Sequence, residues 1–334
     1  MKKNKINVLF TSAGRRVELL RSFKDAHKKL GLEGSIIVTD IDPLAPALQV
    51  ADRSYLVPRS NSGNFIQKLT EIVKNEHVDL MFPLIDPDIS ILAANRNVLE
   101  SKGACVVVIS KEAAKMTADK WLTYQFFRRL DIPAPTSWLA SEARELNLDY
   151  PVFIKPRFGS AGETTFKVCN EKELSFFMDY VPNPIVQEYL SGPEITNDVI
   201  CEFDGNILAV VSRKRIEVRW GEVAKGITIY DSSIIDNCVR VAKKLKAIGP
   251  ITVQCIFKDG VPHFTEINAR FGGGLPLGIA AGVDSPRWLL AKAAGIEVKI
   301  PPLGSYKVGL MLTRFDDSFF LSEEDIEKIE SRRF

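Results

Sequence analysis

Over the N-terminal third of the chain, short unbroken apolar runs alternate with longer segments whose apolar residues recur at helical spacing. "INVLF" (6–10), "SIIVTD" (35–40), "DLMFPLID" (79–86) and "CVVVIS" (105–110) read as buried strands. "RRVELLRSFKDAHKKL" (15–30), "NFIQKLTEIVKNEH" (64–77) and a segment near 88–102 read as helices, with 41–58 as a loop. Strands alternating with helices predict a parallel sheet covered on both faces, a Rossmann-like domain over residues 1–112.

The pattern then changes. A helix over 112–133, "EAAKMTADKWLTYQFFRRLDIP", leads to the strand "YPVFIKP" (150–156), the small-residue turn "RFGSAGE" and the returning strand "TFKVC" (165–169). The helix "EKELSFFMDYV" (171–181) and the strand "PIVQEYL" (184–190) follow. Further on, "EITNDVICEF" and "ILAVVSRKRIEV" read as one hairpin, "ITVQCIF" and "VPHFTEINA" as another. Hairpins mixed with helices predict an α+β unit behind the α/β one. The closing "LSEEDIEKIESRRF" reads as an exposed charged helix.

Composition narrows the partners. A chain of 334 residues has room for two domains, and 46% hydrophobic with 26% charged residues is ordinary for a globular protein. A net charge of +2 gives no reason to expect nucleic acid or an anionic membrane surface. Five scattered cysteines without a C-x-x-C pair speak against a disulfide framework or a zinc site, and so for a reducing cytoplasm. No apolar window approaches the length of a membrane helix.

The stretch "HFTEINARFGGG" (263–274) concentrates the chemistry. On a strand, Glu266, Asn268 and Arg270 share a face. Gln254 on the preceding strand joins that face if the hairpin loop has three residues, 258–260; a two-residue loop turns it away. One carboxylate and two amide oxygens are hard ligands suited to Mg²⁺, and an adjacent guanidinium suits phosphate oxygens. A polar edge strand is the plainer alternative. The glycines either let backbone come close or simply permit the turn into "LPLGIAAG".

Elsewhere, Lys155 ends an apolar strand before a Gly159–Gly162 turn whose N–H groups, Ser160 and Ala161 included, could cradle phosphate, although no Walker motif is present. A surface hairpin with a snorkelling lysine is the competing view. In "QEYLSGPE", Glu188 and Leu190 could present an adenine-binding edge and Glu194 a ribose-binding carboxylate, or the segment is a plain linker. Arg213 and Arg215 share a strand face, and with Lys225 they point either to a substrate anion or to solvent. In the N-terminal domain, Ser12, Asp40, Asp86 and Asp88 stand at strand carboxyl ends, where open sheets bind ligands, though Asp before Pro is also turn chemistry.

The order of these pieces resembles the ATP-grasp superfamily: a helix opening "DK", a strand ending "IKP", the "QEYLSGPE" hinge, then "VQCIF" and "EINAR". Within it, residues 6–300 resemble one synthetase half of the carbamoyl-phosphate synthetase large subunit. The resemblance implies a pre-ATP-grasp domain (1–112), an ATP-grasp domain of two α+β subdomains (113–300, with a nucleotide-covering lid near 120–190) and a C-terminal extension (301–334). It implies that Lys120 and Lys155 hold ATP phosphates under the 159–163 turn, and that Glu188 and Leu190 face adenine with Glu194 on ribose. Gln254, Glu266 and Asn268 would bind Mg²⁺ or Mn²⁺, and Arg270 would steady the transferred phosphoryl. The activity implied is ATP-dependent activation of a carboxylate or bicarbonate as an acyl phosphate, attacked by an amine or ammonia; a homodimer or a partner synthetase subunit would be in keeping. The chain departs from that family in having one half, no histidine in the corresponding loop, and Glu163 where glycine is usual. Two rival classes are an NAD-dependent dehydrogenase, disfavoured by the single glycine of "FTSAGRRVE", and a non-catalytic nucleotide sensor.

Overall fold

A computed structural model of the chain describes residues 2–159, 162, 164–219 and 221–332. Its strands are β1 (Val8–Thr11), β2 (Ile36–Asp40), β3 (Arg53–Leu56), β4 (Leu80–Pro83), β5 (Cys105–Val106), β6 (Ser137–Leu139), β7 (Val152–Pro156), β8 (Phe166–Val168), β9 (Pro184–Glu188), β10 (Glu194–Cys201), β11 (Ile207–Arg219), β12 (Glu222–Ile229), β13 (Gly249–Lys258), β14 (Val261–Asn268) and β15 (Met311–Thr313). Among the described residues no helix is long and apolar enough to cross a membrane.

The first five strands form a parallel sheet in the order β3-β2-β1-β4-β5. Both faces are covered, as unbroken apolar strands require. Val8 and Phe10 of β1 pack with Phe23 and Phe82, while Leu9 packs on the opposite face with Ile37, Leu69 and Ile72. The helix Val17–Leu30 buries Leu19, Leu20, Phe23 and Ala26, and stops at Gly31, whose φ of +62° closes a left-handed cap.

Four local expectations are corrected. The loop over 41–58 contains a helical turn, Pro46–Val50, and the edge strand β3, whose half-polar "RSYL" carries too little apolar signal to be seen. The helix near 88–102 is two, Asp86–Ala94 and Arg96–Glu100, separated at Asn95, whose side chain bonds the Ile91 carbonyl at 2.9 Å. The helix over 112–133 is also two, Lys111–Ala118 and Lys120–Arg129. Asp119 between them is extended and its carboxylate accepts the N–H groups of Trp121 and Leu122, starting a fresh helix at Lys120. The closing helix, Glu323–Glu330, is not wholly exposed, since Ile329 is buried.

The remaining strands make two antiparallel sheets. Residues 137–188 give a four-stranded sheet, β6-β9-β7-β8, backed by the helix Glu171–Tyr180. The larger sheet has the order β14-β13-β10-β11-β12-β15. Neither β12 nor the helix Ser232–Leu245 that backs this sheet figured in the sequence pattern. The tail supplies β15, which pairs antiparallel with β12, Lys225 opposite Thr313.

The first and third sheets share a core. Phe271, just past β14, is 1% exposed and sits 5.3 Å from Phe82 and 5.8 Å from Phe23, ring centroid to centroid. Trp288, Leu289 and Leu290 of the helix Ser285–Ala294 join the same cluster. Phe271 thereby fixes the end of the β14 strand against the N-terminal sheet. Phe271→Ala is expected to cost about 3–5 kcal/mol, read as a fall in the urea midpoint.

Candidate active site

The β13–β14 hairpin decides which side chains meet. Its turn is Asp259-Gly260, with φ of +50° and +79°, and Lys258 pairs with Val261. This is a two-residue loop of the kind whose mirror-image turn suits strand twist, not the three-residue loop expected. By side-chain parity it should aim Gln254 away from Glu266. A β-bulge reverses the outcome: Cys255 pairs with Phe264 but Gln254 with Glu266, leaving Thr265 as the extra residue. Gln254 and Glu266 are therefore directly opposite, with Thr252 opposite Asn268 next to them. Arg270 lies beyond the strand end, and binds Asp86 through Nε at 3.0 Å and Nη2 at 2.8 Å.

These residues line a cavity of about 760 Å³ between the three sheets, within the usual range for small-molecule sites. From the four-stranded sheet comes Lys155, 8% exposed, donating to Gln187 Oε1 at 3.0 Å; Gln187 in turn donates to Ser137 at 2.8 Å. Burial lowers the Lys155 pKa to about 8, Glu266 opposing the shift and Lys120 adding to it. Lys120, the first residue of its helix, donates to the Gly159 carbonyl at 2.6 Å, and burial lowers its pKa also, against Glu266, Asp86 and Asp119. Asp119 holds Arg157 at 2.8 and 2.6 Å, tying that helix start to the end of β7. Gly159 and Gly162 take φ of +106° and +71°, which side-chain-bearing residues avoid. Ser160, Ala161 and Glu163 lie outside the described residues.

Glu188, Leu190 and Glu194 also border the cavity. Burial raises the Glu188 carboxyl, but the Lys258 ammonium and the Thr136 N–H more than offset this and leave it below the ordinary value. Glu194 accepts from Arg215 at 2.5 Å. Gly192 is sterically required, because a Cβ there would lie 1.9 Å from the Phe257 carbonyl oxygen.

The basic hairpin β11–β12 does not act as a set. Arg213 is 2% exposed and engaged bidentately with Asp198 at 2.7 and 2.8 Å, so its fork is spent inside the protein although it borders the cavity. Arg215 reaches the cavity but is held by Glu194. Lys225 pairs with Glu217 at 2.7 Å, half exposed and outside the cavity lining. The three glycines are explained by close approach, not by a turn. A Cβ on Gly272 would come within 2.7 Å of Asp198, one on Gly273 within 2.8 Å of Arg16 and Glu222, and one on Gly274 within 1.9 Å of Arg213.

Of the strand-end candidates in the N-terminal sheet, Asp86 alone borders the cavity. Asp40 accepts the N–H groups of Gly14, Ile41 and Asp42, which fixes the turn after β1. Asp88 is fully buried and accepts from Thr11 and Ser12 at 2.7 and 2.8 Å, and burial pushes its carboxyl above the usual range. Ser12 is committed to that bond. The same turn carries Arg15 and Arg16 into the cavity lining, and the sequence reading passed over both. The available signal was a pair of arginines at a helix N-terminus, where the helix field disfavours cations.

Among the described residues no three His, Cys, Asp or Glu side chains gather as a metal cluster. A divalent cation would rest instead on Gln254, Glu266 and Asn268. Their side chains make no hydrogen bond among the described residues, so three oxygen donors on adjacent strands face the cavity unused. That donor set fits a hard ion such as Mg²⁺, which keeps few protein ligands.

Comparison with known proteins agrees with this architecture. Residues 117–274 match the family model for the ATP-grasp domain, and residues 8–108 that for the PylC-like N-terminal domain. The chain thus carries an ATP-grasp domain behind a PylC-like N-terminal domain. The carbamoyl phosphate synthase arginine-specific large chain of Geobacillus stearothermophilus is 24% identical over 268 residues, 75% of this chain and 25% of that one. The chain therefore spans about a quarter of the length of that relative. The biotin carboxylase domain dimer of Hydrogenobacter thermophilus 2-oxoglutarate carboxylase, in complex with MgADP, ADP and bicarbonate, is similar in structure. Its TM-score is 0.69 at 18% identity, covering 90% of this chain and 71% of that one. The L-amino acid ligase of Bacillus licheniformis gives 0.68 at 19% identity, covering 88% and 75%.

Two outcomes follow from the buried charges. Between about pH 8 and the ordinary lysine value, the unfolded chain holds more protons at Lys155 than the folded one does. Stability from this group therefore rises with pH through that window. The stability of wild type minus that of Lys155→Met, from urea unfolding at pH 7.5 and 10, should increase on the order of 2 kcal/mol. Gly274→Ala must displace the buried Arg213–Asp198 pair, and should cost about 3 kcal/mol or more by the same measurement.

Proposed function

We propose that the protein is an ATP- and Mg²⁺-dependent carboxylate–amine ligase working through an acyl phosphate, related to one synthetase half of carbamoyl-phosphate synthetase. One observation carries the reading: the unused oxygen triad Gln254, Glu266 and Asn268 shares a cavity with the buried Lys155, the half-buried Lys120 and Arg270. Oxygen groups left unbonded on a cavity wall that also carries cations are what a nucleotide triphosphate with its metal would satisfy. The similarity to nucleotide-bound and amino-acid-ligase structures supports it.

Phosphoryl transfer asks for positioning and charge neutralisation more than for covalent help from the protein. Lys155, fixed by Gln187, and Lys120, fixed by the Gly159 carbonyl, would hold phosphate oxygens at the lid side. The hinge at Glu188–Glu194 would carry the base and ribose. Bound at the triad, Mg²⁺ or Mn²⁺ would supply further neutralisation of phosphate charge. Arg270, oriented by Asp86, would face the transferred group from the third sheet. A substrate carboxylate oxygen attacks the γ-phosphorus and ADP leaves; an amine then attacks the acyl carbon, phosphate departs, and the amine nitrogen loses a proton. A small carboxylic acid, bicarbonate among them, and an amine or ammonia are the substrates in this reading, in a reducing cytoplasm that suits five free cysteines. A second copy or a partner subunit fits the same scheme.

ADP release across a panel of acids and amines tests it, with ¹⁸O passing from the acid into phosphate as the expected mark of the acyl phosphate. Glu266→Gln should lower turnover by roughly 100-fold or more while leaving ATP affinity within a few-fold. ATP binding without ADP release for any pair would leave a nucleotide-binding protein instead of a ligase.

A further inference from the structure

A second concentration of positive charge lies at the end of the cavity formed by the N-terminal sheet. The strand order reverses between β1 and β4, the place where open parallel sheets hold ligands. The turn after β1 delivers Arg15 and Arg16 there, and the turn after β4 delivers Asp86. Arg16 is the N-cap residue of the 14-residue helix Val17–Leu30 and gives it no side-chain cap. A guanidinium at the positive end of a helix works against the helix field.

The surroundings do not quiet that charge. Arg16 Nη1 lies 3.2 Å from Glu222 Oε1, and its side chain makes no hydrogen bond among the described residues although it is only 16% exposed. The other oxygen of Glu222 takes Arg314 at 3.1 Å, so one carboxylate serves two guanidiniums. On the other side Arg270 is matched with Asp86. Burial lowers the Arg16 pKa, Glu222 opposes this, and Arg270 and Arg314 lower it further. Arg16 and Arg270 border this end with Asp86 and Glu222, and Arg314 takes a share of Glu222 from outside the lining. Gly273 keeps the wall as bare backbone, because a Cβ there would meet Arg16 at 2.8 Å. The cavity end thus offers a guanidinium held by one shared ion pair, its other nitrogens without a hydrogen bond among the described residues.

We infer that this end is a subsite for a substrate carboxylate other than the one that is activated, with Arg16 as its principal ligand and Arg15 beside it. The inference rests on the ligase reading and names its substrate class: a bifunctional acid, either an α-amino acid serving as the nucleophile or a dicarboxylic acid serving as the acyl donor. A carboxylate matches the planar fork in two parallel hydrogen bonds, as Asp86 does for Arg270 on the cavity wall and Asp198 for Arg213 beneath it.

Calorimetric titration of the full chain, with ATP analogue and Mg²⁺ present, tests the assignment. The probes are the L-amino acids, succinate and glutarate, with L-amino acid amides and butyrate as controls. Binding should require the extra carboxylate, and the amino-acid and diacid arms tell its two sources apart. Arg16→Gln should weaken the preferred probe roughly 10- to 100-fold with nucleotide affinity unchanged, and Arg16→Lys should recover part of the loss. Arg15→Gln, at an exposed position, should weaken it by a smaller factor and stands in should Arg16→Gln fail to fold. Amides binding as tightly as their parent acids, or Arg16→Gln binding as wild type, would overturn the subsite. ADP release with simple acids and amines alone would do the same and leave the ligase reading intact. Carboxylate binding that depends on Arg16, with no ADP released for any pair, would retain the subsite and remove the ligase.

Discussion

The Arg213–Asp198 pair sits under the glycine run 272–274, and the geometry of the cavity floor depends on it. Both side chains are 2% exposed, and the two hydrogen bonds between them join β10 to β11. Such a pair returns little net stability, since desolvating two charges offsets most of their attraction. What it does is dictate which backbone can lie on top. With glycine at three successive positions the chain passes directly over the guanidinium, so Arg270 emerges toward Asp86 and Phe271 enters the N-terminal core. A Cβ at Gly274 would lie 1.9 Å from the Arg213 guanidinium, so the loop or the arginine would have to move.

The polar residues of the cavity divide by whether the fold has already used them. Asp40 spends its carboxylate on three backbone N–H groups, and Ser12 spends its hydroxyl on Asp88. Those groups shape the turn after β1. By contrast Gln254, Glu266 and Asn268 have oxygen donors to spare, and Arg16 has nitrogen donors to spare. Polar groups that line a cavity and are left unbonded by the fold are free to meet another molecule there. The rule separates neighbours of the same residue type: Arg213 is internal furniture, Arg16 is not.

Much of the architecture was legible in sequence because its signals are local. The parallel sheet announced itself through unbroken apolar runs, and Glu266, Asn268 and Lys155 through polarity where a strand should be apolar. Misses came where the deciding interaction was distant or where two local rules cancelled. The hairpin at Asp259-Gly260 is a two-residue turn, and only the bulge at Thr265 restores the face that Gln254 shares with Glu266; neither is separable from the other by counting residues. Lys225 looked equivalent to Arg213 and Arg215, but Glu217 lies across the ladder from it and draws it out of the cavity. Arg15 and Arg16 went unread because a basic pair opening an amphipathic helix passes for solvated surface until the sheet order shows where that helix begins.

Arg314 joins residues from opposite ends of the sequence, its Nη2 lying 2.9 Å from Glu18, 296 positions away. One oxygen of Glu222 meets Arg314 and the other Arg16. How far the guanidinium of Arg16 is neutralised at the cavity therefore depends on a residue that the β12–β15 pairing brings in from far along the chain.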